Sequence, residues 1–141
     1  TIKNPTTGKN ETVTVVKPKP QESSSASLAY SVLNDINAYR RQAGLPDLVW
    51  RHELDSIVKT RAKEFSITLD HVRPDGTDYV TIFTKEQAIK WLPGEILTNA
   101  PNPAKAWYNS AGHRKIMLNP KNIGIAIGVY KGHYAAILIK G

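Results

Sequence analysis

The stretch Ile123-Gly124-Ile125-Ala126-Ile127-Gly128-Val129 decides the fold class. Large apolar side chains alternate with Gly, Ala and Gly, the period of two that a β-strand imposes. The pattern predicts a half-buried strand with one unusually flat face, because Gly124, Ala126 and Gly128 put almost nothing on that side. Lys131-Gly132 supplies a turn, and His133 through Ile139 predicts the returning strand of a hairpin.

Upstream of the hairpin the clear patterns are mostly helical. Leu28, Val32, Ile36, Tyr39 and Ala43 recur at helical spacing and predict a first helix from about Ser25 to Ala43, stopped by Gly44 and Pro46. Leu45 to Trp50 reads as a short extended connection. In the second helix Leu54, Ile57, Val58, Arg61, Ala62 and Phe65 fall on one stripe, the signature of a core-facing surface. Pro74 and Asp75-Gly76 make residues 70–76 a loop. Residues 93–97 are strand-like after a poorly patterned stretch, and 103–109 and 111–118 read as two short helices. Ser110 stands where its hydroxyl can cap the second of these. Helices followed by a small antiparallel sheet predict an α+β layered domain.

Residues 1–27 differ from the rest. Thr12 to Val16 suits a short edge strand, while Lys17-Pro18-Lys19-Pro20 and Ser23-Ser24-Ser25 read as an extended tail or linker. The predicted division is a tail over 1–27 and a folded domain over 28–141.

Composition sets limits on this picture. Of 141 residues 40% are apolar, enough for a core without staples. Zero cysteines exclude disulfides, thiolate metal sites and a cysteine nucleophile. No apolar run approaches the roughly 20 residues that span a bilayer. The chain begins at Thr1 rather than Met, so the expectation is a processed chain whose export signal lies upstream. The net charge is +7, of which the tail holds four lysines against two glutamates, leaving +5 for the domain. These charges are dispersed and lack aromatic interleaving, which argues against nucleic acid. They suit a solvated basic surface or attraction to anionic wall polymers or lipid headgroups.

Five stretches, in order, resemble the CAP superfamily of cysteine-rich secretory, venom antigen 5 and plant pathogenesis-related group-one proteins, and most of all its bacterial SCP-like branch. Leu33 to Arg40 with Gly44 to Trp50 resembles the N-x-x-R…G-L-x-x-L-x-W opening. His71-Val72-Arg73-Pro74-Asp75-Gly76 resembles H-x-R-P-D-G, and Gly94-Glu95-Ile96-Leu97 resembles G-E-N-I. Trp107 to Arg114 resembles W-x-x-S-x-G-H-R, and Ile123 to Ala126 the I-G-V-G strand that follows. The resemblance implies a three-layer α–β–α sandwich, a secreted or cell-wall-associated location, and a cleft where two His and up to two Glu meet. Three of these positions carry over as His71, Glu95 and His113. Ser110 stands where animal and plant members have the second Glu, Ile96 replaces an Asn, and Ile36 a His.

Two imidazoles and a carboxylate are donors suited to a divalent metal such as Zn²⁺ with one position left open for water. In that version Glu95 or a neighbour serves as base of a metal-assisted hydrolase acting on peptides or wall material. In the other, the three residues form a hydrogen-bonded cluster joining loop, strand and helix beneath a cleft. His113 falls in a first helical turn, where the helix dipole favours its neutral form. The predicted cleft comprises His71, Arg73, Glu95, Tyr108, Ser110 and His113. Arg73 and Asp75 are expected to lock their loop by a salt bridge, Asn37 and Arg40 to tie the first helix to nearby loops, and His52 and His133 to sit at the surface. With no committed nucleophile and no second carboxylate, the leading expectation is a monomeric, non-enzymatic module that binds a metal, lipid or polymer. The hydrolase and a purely structural surface domain are the alternatives.

Overall fold

The structure, a computed structural model, describes residues 24–141. The predicted strand over 12–16 and the Lys-Pro linker lie outside the described residues.

Helix α1 (Ser25–Gln42) starts where Ser24 accepts a hydrogen bond from the Ser27 amide at 3.0 Å. Its buried side is Ala29, Val32, Leu33, Ile36, Asn37 and Arg40. Leu28 and Ala43 stay exposed, so the inward face is rotated from the one that the spacing of Leu28 and Ala43 suggests. The buried polar pair ties the helix to its surroundings. Asn37 exchanges hydrogen bonds with the Leu48 backbone, and Arg40 donates to the carbonyls of Pro46, Met117, Asn119 and Asn122.

Strand β1 (Val49–Trp50) leads through a 3₁₀ turn (His52–Leu54) into helix α2 (Asp55–Thr68). The poorly patterned stretch holds a 3₁₀ turn (Tyr79–Ile82) and helix α3 (Lys85–Trp91), opened by a reciprocal capping box between Thr84 and Gln87. Strand β2 (Gly94–Thr98), helices α4 (Pro103–Tyr108) and α5 (Ala111–Met117), and strands β3 (Gly124–Tyr130) and β4 (His133–Ile139) complete the chain.

The sheet order is β1-β3-β4-β2. It is mixed rather than purely antiparallel: β1 pairs parallel with β3, Val49 opposite Gly124, while β3–β4 and β4–β2 are antiparallel. Two residues of β1 are too few to show a pattern in the sequence. The hairpin turns on Lys131 and Gly132, both at positive φ (45° and 76°), the backbone that a two-residue loop between twisted strands requires.

β3 is buried on both faces, not half-buried. Ile125 and Ile127 point into a core with Ile36, Ile96, Trp107 and Leu138 under α1, α4 and α5. On the opposite face Ala126 packs with Leu54, Val58, Ile137 and Ile139 under α2 and α3. The flat face exists for α2: a Cβ on Gly128 would lie 2.1 Å from the Val58 carbonyl oxygen. Helices on both faces of one sheet make the α–β–α sandwich.

Candidate functional site

Strand alternation turns Ile96 toward the α1 side and Glu95 and Leu97 toward α2. Glu95 thus enters a layer of apolar side chains as a wholly buried carboxylate, which needs a buried cation. Arg61 provides it from the middle of the apolar stripe of α2. Its Nε donates to Glu95 Oε2 at 2.6 Å and its Nη2 to Oε1 at 2.9 Å, with neither side chain exposed. This bidentate fork fixes the carboxylate plane. The remaining guanidinium donors reach Glu64 and the carbonyls of Asp70 and His71.

The second partner of Glu95 is His71, whose Nδ1 donates to Oε1 at 2.9 Å. This bond sets the tautomer, so that in the neutral ring Nε2 is the unprotonated nitrogen. The Glu95 hydrogen bond raises the His71 pKa above its ordinary value, outweighing partial burial. Tyr79 lies beside the ring at 5.9 Å between centroids, with its hydroxyl donating to the Pro93 carbonyl. Burial, then the Glu95 charge, pushes the Tyr79 phenol up.

His113, on the first turn of α5, shares a pocket of about 400 Å³ with His71. Phe65, Leu97, Thr98 and Asn99 line the same pocket. The His113 pKa is lowered by burial first and then by the nearby His71, so the two imidazoles are driven in opposite directions. The predicted trio is therefore joined as a buried Glu95 under His71, with His113 across the pocket.

The other predicted cleft residues lie elsewhere. Arg73 does not pair with Asp75. Its guanidinium grips Glu64 through Nε and Nη2, because Glu64 already faces it from α2, while Asp75 accepts from the Thr77 amide and hydroxyl. Tyr108 stacks on Tyr39 at 4.2 Å, outside the pocket. Ser110 occupies the N-cap position of α5, but its hydroxyl makes no capping bond, and its carbonyl accepts from the Arg114 amide instead. His52 is exposed beside Asp55, and His133 sits half-buried against Phe65.

Arg61 is the central residue that the sequence reading leaves unexplained. An arginine inside an apolar stripe signals a buried anion, although not which one. Ile36 and Ile96, which stand where the resemblance implies polar residues, belong to the α1-side core.

A metal held directly by His71, Glu95 and His113 does not fit this arrangement. Both Glu95 oxygens already accept hydrogen bonds, and among the described residues no three His, Cys, Asp or Glu side chains group around one point. The same engagement removes Glu95 as a free general base, which must reach the proton that it abstracts. The pocket instead offers two imidazoles, the Thr98 hydroxyl, the Asn99 amide and the Asp70 carboxylate, which accepts from the His71 amide, all of them hydrogen-bonding groups for a polar ligand.

The model of the cysteine-rich secretory protein family, CAP, matches residues 33–136. An extracellular protein of Bacillus anthracis containing an SCP domain is similar in structure (TM-score 0.70, 22% identity), covering 90% of this chain and 45% of that one. A cysteine-rich secretory protein of Staphylococcus aureus is similar at TM-score 0.67 and 20% identity, covering 88% and 40%. The outer surface protein of Borrelia burgdorferi is similar at 0.64 and 18%, covering 79% and 90%. These likenesses are of fold, and the chain spans less than half the length of the first two proteins. Among curated proteins none matches. The family match covers well over half of the chain, and this cysteine-free chain belongs to the cysteine-rich secretory protein (CAP) family.

Proposed function

We propose that the protein is a secreted or wall-associated, non-enzymatic binding module that holds the polar end of a ligand between His71 and His113. The observation that carries this reading is the engagement of both Glu95 oxygens by Arg61 and His71. A carboxylate so enclosed orients the His71 imidazole and leaves its Nε2 facing outward to a ligand, while Glu95 itself is not free to take a proton. Support for the location comes from relatives described as extracellular or outer-surface proteins. Support for an anionic polymer or lipid as partner comes from the +7 charge. No helix among the described residues is long and apolar enough to cross a membrane.

The test is calorimetric titration with solubilised wall polymer and with anionic vesicles, beside turnover assays on peptides and peptidoglycan. The expected result is saturable binding to one of them, weakened by salt and by His113→Ala, with no product formed. Turnover that Glu95→Gln abolishes in a folded protein would overturn the reading.

A further inference from the structure

We infer that a trough between α2, the start of α1 and the β3–β4 turn, separate from the His71–His113 pocket, binds an acidic glycan chain. Two adjoining cavities form it, about 320 and 680 Å³, and Ser25, Lys59 and Val129 line both. Aromatic residues stand at each end. Tyr30 and Trp50 meet at 4.5 Å at one, and Tyr130 lies at the other.

Among the described residues the trough and its rim carry three lysines against two acids. Of its two acids, Asp55 accepts from the Trp50 indole and His52 and also feels the Lys59 charge one turn on, and Glu64 is taken by Arg61 and Arg73. Lys59 and Lys63 lie one turn apart on α2, and Lys131 projects from the hairpin turn. Among the described residues none of the three forms an ion pair. Lys63 and Lys131 both sit over the Tyr130 ring, at 5.8 and 5.3 Å from its centroid. Charges dispersed in the sequence are thus gathered around one aromatic face by the fold.

The shape and donor types select the occupant. From Lys59 to Ile67 the trough runs roughly 12 Å along α2, at 1.5 Å per residue, which suits several units of a polymer. Aromatic faces stack on the apolar faces of sugar rings, and lysines pair with single carboxylates as point charges. No arginine lines either cavity, whereas phosphate recognition favours the arginine fork. A concave channel also offers no flat apolar face to a bilayer. A carboxylated sugar chain fits these features better than nucleic acid or lipid.

The experiment titrates the full chain with a hexasaccharide containing alternating uronates, a neutral hexasaccharide, a single-stranded oligonucleotide and anionic vesicles. The acidic hexasaccharide should bind saturably and weaken with salt. Lys59→Glu/Lys63→Glu should lower its affinity at least roughly tenfold through like-charge repulsion. Tyr130→Ala should lower it while leaving the salt dependence unchanged. His113→Ala, which reads the other pocket, should leave it unchanged. Circular dichroism and thermal melts of each variant confirm folding. Absence of binding at low salt, binding indifferent to these trough variants, or stronger binding to oligonucleotide or vesicles that the trough variants abolish and His113→Ala does not, overturns the inference, whichever way the His71–His113 pocket behaves.

Discussion

Arg61 Nε and Glu95 Oε2 lie 2.6 Å apart with both side chains fully buried, joining the middle of α2 to the edge strand β2. Removing one partner of such a pair strands a charge in an apolar layer. Arg61→Met should therefore destabilise the domain by about 3–5 kcal/mol in denaturant unfolding, because Glu95 keeps only the His71 contact. Arg61→Met/Glu95→Leu should recover much of that loss, since the stranded carboxylate is gone. A double variant no more stable than the single would show that the pair is not the source of the cost.

The histidine contacts give stability an asymmetric pH dependence. His71 has a raised folded pKa, so its contribution is complete below its unfolded value of about 6.5 and fades as pH rises through the folded pKa. Glu64 runs the other way. Burial alone would raise its pKa, but Arg73 and Arg61 hold it low, so its contribution is present above about 4.3 and lost as pH falls through the folded pKa. The stability difference between the wild type and His71→Gln should shrink with rising pH, and that for Glu64→Gln with falling pH. Chemical unfolding at several pH values measures both slopes.

Gly128 tests how closely α2 lies on the sheet. An added Cβ meets the Val58 carbonyl oxygen and carbon at 2.1 and 2.4 Å, and backbone cannot move aside as a side-chain tip can. Gly128→Ala should cost at least about 2 kcal/mol. Gly112→Ala on α5, with nothing within 4 Å of the added carbon, should be neutral or stabilise by up to about 1 kcal/mol. Equal effects at the two sites would contradict the close approach.

Much of the fold is legible in the residues. The β3 alternation, the β4 return and the apolar stripe of α2 each follow from a period. The flat face of β3 is legible too, but not its cover, since periodicity does not tell solvent from a helix when the facing residues are Gly and Ala. Helix α3 leaves a trace in Thr84-Lys85-Glu86-Gln87, a capping box whose apolar pattern is too short to stand out. The site is legible in its members, not in their bonds. Arg61 and Glu95 are 34 positions apart, and only the packing of α2 on β2 makes them partners. Likewise, nothing local indicates that Arg73 turns back to Glu64 rather than on to Asp75.

The proposed role of Glu95, resting on its three hydrogen bonds, is to hold His71 for binding instead of acting in catalysis. Long-range ¹H–¹⁵N NMR of the two pocket imidazoles, followed while solubilised wall polymer is added and its fragments are analysed from the same sample, tests it most directly. The expected result is a His71 ring that keeps its proton on Nδ1, saturable shifts at both His71 and His113, and polymer of unchanged length. Polymer that shortens with time in the wild type, and not in folded Glu95→Gln, would contradict it.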